Sequence, residues 1–321
     1  MNKTSLAEFL KQNPKLQTHF KDDIYFQNFY AKLYGEVFEF EFKKDNFYFK
    51  TIAIKEKIPN TSFYDLQSPY GYSGFYSNTN DLTFLKQALE KLKEKALKEN
   101  IIAFFIRFHP FDFICTTLKP QLHFFTKNKS IIVVATHEEL QNIRLHYSPR
   151  IRSYVKKARK ELKIEFCTQN EATAFKQLYD KTMQRNNAND FYFFNQDYFE
   201  KLFSFKESLI IKASLNGEIL AYASFLLCQN LAYYHLSANK LKANANAALL
   251  DFFFEYAHQK GIHFCLLGGG VKDDDTLFKF KEKFSNIHAD FNIGGIIFNE
   301  QIYNSLCQNH HNNTFLKYRF N

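Results

Sequence analysis

Three consecutive glycines, Gly268, Gly269 and Gly270, separate a short apolar run, His263 to Leu267, from a segment with helical spacing that begins at about Thr276. The whole chain has ten glycines, so this run fixes a sharp strand-to-helix connection. Glycine accepts positive φ and lets backbone approach a neighbour that a Cβ would hold off. A strand, a glycine break and a helix in succession can aim N–H groups at a bound anion or a reacting carbonyl. The triplet matches no full phosphate-loop pattern, and a flexible turn without a ligand is the alternative reading. On the helix, Leu277, Phe280 and Phe284 share an apolar face. Lys281 lies beside that face, where its ammonium can reach a cleft or pair with one of Asp273, Asp274 and Asp275. That acidic run suits a helix N-terminus, and no metal site is expected.

A chain of 321 residues with 45% apolar content can build two globular domains. The net charge of +9 favours an anionic partner: nucleic acid, a phosphate-bearing substrate or an acidic membrane surface. Cys115, Cys167, Cys228, Cys265 and Cys307 are widely spaced and contain no C-x-x-C. They read as reduced and mostly buried, without zinc. The opening residues lack the continuous apolar core of a signal peptide, and no apolar run reaches membrane-spanning length. The expected place is the cytoplasm, with peripheral contact at the inner membrane face.

Residues 4–34 have helical spacing. Val37 to Phe42 and Phe47 to Ile54 form a hairpin, and Asp81 to Lys98 an amphipathic helix capped by Asn80 or Asp81. Between them lies a loop dense in Tyr, Pro and Gly, 64–74, whose Tyr70 and Tyr72 are candidate ligand edges. Ile101 to Phe108 is a buried strand that ends in Arg107 and His109, candidates for substrate contact or for structural pairing. After a strand at Ile131 to Ala135, a helical segment from Glu138 to Leu162 is interrupted near Pro149. Eight basic residues fall between Arg144 and Lys163 against one acid, Glu161. Arg152, Lys156, Arg159, Lys160 and Lys163 would share a helix face suited to phosphates, or simply a solvated one.

The second half reads helix, helix, then antiparallel strands joined by Asn216-Gly217. A helix over 243–260 ended by Gly261 follows, then the glycine break, a helix and a strand at 290–298. This is the order of a GNAT-type acyltransferase fold, and residues 37–135 follow a shorter version of it.

Several stretches resemble the Fem-like aminoacyltransferases and acyltransferases of the GNAT superfamily. They are Arg152 to Lys160; Leu178, Tyr179, Thr182 and Arg185; Tyr233 to Ser237; Leu267 to Gly270; and Phe280, Lys281 and Phe284. Ser68 to Tyr72 and Arg107 to Pro110 resemble a glycan-associated branch. The resemblance spans about 60–300. It implies an α/β (α+β) fold of two tandem GNAT-like domains, each a mainly antiparallel mixed sheet flanked by helices. The expected division is 1–140, a basic connecting helix at 141–164, 165–299, and a C-terminal tail at 300–321 packed back on the body. It also implies transfer of an acyl or aminoacyl group to an amine of an anionic cell-wall or surface-glycan precursor, a sugar nucleotide or lipid-linked sugar.

For that chemistry Tyr234, His235 and Lys281 are the catalytic candidates. Tyr70, Tyr72, Arg107, His109, Arg152, Lys156, Arg185, Gly268, Gly269 and Gly270 are the substrate-binding ones. No tightly bound cofactor is expected, and the donor stays open among acyl-CoA, an acyl carrier protein and aminoacyl-tRNA. The connection 237–247 has no glycine where acetyl-CoA enzymes of this superfamily carry several, and no heptad arm of the kind found in relatives that use tRNA is present. A basic RNA-binding module and a non-catalytic adaptor with the same fold are the alternatives.

Overall fold

The computed structural model describes residues 3–16, 22–112, 114–270 and 275–320. The first half contains β1 (Thr4–Ser5), α1 (Leu6–Gln12), α2 (Asn28–Ala31), β2 (Glu36–Lys44), β3 (Phe47–Lys57), β4 (Tyr64–Gln67), β5 (Tyr76–Ser77), α3 (Leu82–Lys98), β6 (Ile101–Arg107), α4 (Ile114–Leu118) and β7 (Phe124–Ala135). There follow α5 (Leu140–Leu145), α6 (Pro149–Glu161), β8 (Lys163–Phe166), α7 (Ala172–Arg185), α8 (Gln196–Ser204), β9 (Ser208–Leu215), β10 (Glu218–Cys228), β11 (Leu231–Asn239), α9 (Ala245–Gln259), β12 (Phe264–Gly268), α10 (Thr276–Glu282), β13 (Ile287–Ile297) and α11 (Glu300–Cys307). They form two compact units. One takes the described residues of 1–18 and 130–289, the other those of 19–129 and 290–321.

In the first unit β8, β9, β10 and β11 pair antiparallel in that order. Asn216 and Gly217, both at positive φ, close the β9–β10 hairpin, as the dipeptide requires. The chain then crosses through α9, ends it at Gly261 with φ +70°, and lays β12 parallel to β11. β7 completes the sheet antiparallel to β12 through Ile132 to Ala135. Phe253 and Phe254 of α9, Val155 of α6 and Phe225 of β10 fill the space between helices and sheet. Burial of such side chains contributes roughly 1.5–3 kcal/mol each.

The second unit repeats the logic with fewer strands. β2–β3 and β3–β4 are antiparallel, α3 makes the crossover, β4 lies parallel to β6, and β6 pairs antiparallel with Ile293 to Ile297 of β13. Asp81 caps α3, its Oδ1 accepting from Phe84 N at 2.7 Å. Phe84, Leu85, Ala88 and Leu92 face Phe38, Phe49 and Phe104. The Arg319 guanidinium holds both oxygens of buried Asp65 at 2.7 Å.

Three expectations need correction. Among the described residues, the helical spacing of 4–34 yields β1, α1, a 3-10 turn at Ile24–Phe26 and α2 in place of continuous helix, and Ser5 and Asp23 each start a new turn by capping. Part of the expected 64–74 loop is a strand, β4, paired on both sides. Lys163 stands in β8 and off the basic helix, because Leu162 turns extended (φ −94°, ψ 139°) to bury its side chain.

Candidate active site

The parallel pairing of β11 and β12 covers Leu231 to Tyr233 on one strand and Phe264 to Leu266 on the other. Beyond it β11 runs on to Asn239, while β12 ends at Gly268. Gly268 has φ +73°, a conformation that glycine reaches without strain. A Cβ on Gly270 would lie 2.2 Å from Asp275 Oδ1, the oxygen that caps α10 by accepting from Phe278 N at 2.7 Å. The glycine run therefore lets the cap of α10 close down on the turn. Asp273 and Asp274 lie outside the described residues.

α10 turns Phe278 and Lys281 inward, and the lysine is only 7% exposed. Its Nζ donates to the Gly269 carbonyl at 2.7 Å and lies 5.9 Å from the centre of the Tyr234 ring. The sequence left Lys281 either in a cleft or paired with an aspartate of the 273–275 run; among the described residues it meets a backbone carbonyl and an aromatic face. Tyr234 packs on Phe225, ring centres 5.5 Å apart. Burial pushes its hydroxyl up to about 12, and the Ser237 side chain pulls weakly the other way, so the group is a proton donor at neutral pH.

His235 does not join this group. Successive strand residues face opposite sides of a sheet, and His235 Nε2 lies 2.6 Å from the Tyr198 hydroxyl of α8. Phe194 stacks on Tyr198 at 4.2 Å. Burial lowers the His235 imidazole to about 3, which leaves it neutral and a poor base. Nothing in the sequence marked Tyr198 as its partner. Arg185 ties the end of α7 to β11 by donating to the Asn239 carbonyl at 2.8 Å. Arg152 and Lys156 are exposed on α6, whereas Arg159 is held by Glu255 and lies over the Phe252 ring.

The loop before α9 has no glycine, yet Leu241, Ala243 and Asn244 all take positive φ. The sequence signalled the missing glycines and gave no sign of the left-handed backbone. In the second unit, Tyr72 and His109 lie in a buried aromatic cluster with Tyr25. The His109 Nδ1 accepts from Phe111 N at 3.1 Å, and burial lowers the ring to about 3. Arg107 donates to the Ser68 carbonyl at 3.0 Å and stacks on Phe105. Tyr70 stacks with Tyr34, and its carbonyl accepts from the Tyr30 hydroxyl at 2.8 Å.

No protein-family model and no curated protein matches the sequence. Solved structures do match it. FemX superposes with a TM-score of 0.68 at 14% identity, covering 88% of this chain and 94% of that one. The chain shares its fold with FemX. L-PGS from Bacillus licheniformis matches with a TM-score of 0.53 at 14% identity, over 77% of this chain and 80% of its own. The C-terminal domain of a putative lysylphosphatidylglycerol synthetase from Agrobacterium fabrum gives 0.52 at 17%, over 82% and 85%. The mixed α/β fold expected from the order of elements is the fold found, with its helices on a largely antiparallel sheet.

Proposed function

We propose that the chain is an acyl- or aminoacyltransferase acting on an amine of an anionic cell-wall or surface-glycan precursor, a sugar nucleotide or a lipid-linked sugar. The observation that carries this reading is the group formed by Lys281, Tyr234 and the Gly268–Gly269 turn, beside the point where the pairing of β11 and β12 stops. The amine attacks the acyl carbonyl, a C–N bond forms, and charge grows on the acyl oxygen. A buried ammonium supplies a fixed positive charge for that oxygen in a medium where it counts for more than in water. The bond to the donor's ester or thioester oxygen or sulfur then breaks. The proton lost by the amine ends on that leaving group, and in this reading the Tyr234 hydroxyl relays it.

The donor reading follows from the loop before α9. Side chains at Leu241, Ala243 and Asn244 crowd the backbone that a diphosphate would approach, which favours aminoacyl-tRNA or a carrier protein over acyl-CoA. The names of the similar structures, FemX and lysylphosphatidylglycerol synthetase, support aminoacyl transfer in the same sense. Among the described residues no helix is long and apolar enough to cross a membrane.

The test is to incubate the full chain with charged tRNA, acyl-CoA or acylated carrier protein, and with nucleotide-linked or lipid-linked amino sugars. Product masses are then read. A mass gain of one aminoacyl or acyl residue on the acceptor, lost in Lys281→Met, is expected. No transfer from any of the three donors would overturn the proposal.

A further inference from the structure

The basic helix α6 buries Ile151, Val155 and Ala158, packs Tyr154 partly against the same core, and leaves Arg152, Lys156, Lys157 and Lys160 exposed. Of its cations, Arg150 is engaged with Tyr154 of the same helix, and the others divide into two sets. Arg159 is occupied by the α9 acids Glu255 and Asp251, and Lys157 pairs with Glu161. Arg152, Lys156 and Lys160 are exposed and have no ion pair among the described residues. They stand at i, i+4 and i+8, a row about 12 Å long on one helix face. An exposed apolar side chain lies near each end of α6. Leu145, 65% exposed, closes α5 just before α6 begins, and Phe166, 49% exposed, closes β8 just after it ends. Phe166 rests on Phe252 and Tyr256 of α9, with Arg159 over the Phe252 ring and Lys260 over the Tyr256 ring. The row of cations on this helix face is thus flanked by exposed apolar side chains in the elements next to each end of α6.

We infer that this face docks on an anionic phospholipid bilayer, with Arg152, Lys156 and Lys160 on headgroup phosphates and Leu145 and Phe166 in the interfacial layer. A bilayer offers phosphates and apolar depth together, and the face presents cations and apolar side chains together. RNA fits less well. Bases need open ring faces in a charged groove, but the Phe252 and Tyr256 rings carry cations, Phe166 meets both edge-to-face, and a single convex helix makes no groove. The inference stands apart from the transferase reading, since docking needs no turnover.

The test is co-sedimentation of the full chain with phosphatidylcholine vesicles containing or lacking one quarter phosphatidylglycerol, at low and at physiological salt. Binding to the anionic vesicles only, weakened by salt, is expected. In the triple variant Arg152→Gln, Lys156→Gln, Lys160→Gln it falls on the order of a hundredfold, each cation near such a surface contributing about fivefold. Leu145→Gln weakens it without changing the salt dependence. Circular dichroism confirms that both variants fold. Equal sedimentation of wild type and triple variant would overturn the inference. So would binding to neutral vesicles alone, or loss of duplex RNA binding in the variant while vesicle binding persists.

Discussion

Lys281 Nζ donates to the carbonyl of Gly269 at 2.7 Å, across the turn from which its own helix starts. The lysine therefore holds the shape of the turn and brings charge to it at once. Lys281→Met keeps most of the stem and removes both effects. Transfer should fall at least tenfold, about 1.4 kcal/mol of transition-state stabilisation. The carbonyl left without its donor should cost about 1 kcal/mol of stability. Steady-state kinetics and urea unfolding of the same preparation check this; full activity would remove Lys281 from the site.

Gly270→Ala should separate the turn from the chemistry. The added Cβ would meet the carboxylate of Asp275 at 2.2 Å, so the cap of α10 must open. Loss of an N-cap costs about 1 kcal/mol. The melting temperature should drop in Gly270→Ala and not in Gly217→Ala/Asn216→Gly hairpin controls beyond the strain of Gly217's own φ of +84°, where a Cβ meets nothing within 4 Å.

Acid should destabilise the protein through two histidines, the buried His109 and the half-buried His235. His109 and His235 are held at about 3 by burial, below the 6.5 expected of an unfolded chain. Between those values the unfolded state binds more protons. The stabilisation is therefore full above about pH 6.5 and is lost as pH falls toward 3. In His235→Asn, urea midpoints measured from pH 7.5 to 4.5 should fall less steeply than in wild type. For the same reason a rate limb near pH 6.5 should be unchanged in that variant, and a shift in that limb would return His235 to catalysis.

Asp251 is fully buried in α9, with Arg144 on both oxygens at 2.8 and 2.6 Å and the Tyr147 hydroxyl at 3.1 Å. Asp251→Ala leaves an arginine and a tyrosine facing a void and should cost about 3–5 kcal/mol. Unfolding in urea would show it as a lower midpoint with the slope retained.

Much of the frame was legible because its signals are local. Asn216-Gly217, the Asp81 cap, Gly261 and the glycine run each dictate backbone at their own position, and all four act as their chemistry requires. The face of a side chain was harder to read. Tyr234 and His235 are adjacent in sequence and read together as one site, but a strand sends them to opposite sides, and only the fold brings Lys281 to one and Tyr198 to the other. The basic run was visible as charge. Which cations are spent on α9 could not be seen, because Asp251 and Glu255 lie about a hundred residues away in the chain.

Leu241, Ala243 and Asn244 hold a left-handed backbone that glycine would adopt freely, with a strain of roughly 1 kcal/mol or more at Leu241 and Ala243 and less at Asn244, whose short amide tolerates it. The shape of the loop and the residues that fill it are thus separable quantities. Glycine at all three positions would relax the strain and uncover the peptide groups in the same step. A library aimed at recruiting diphosphate-bearing donors is therefore best concentrated on these three codons, where a gain in substrate range and a gain in stability would point the same way.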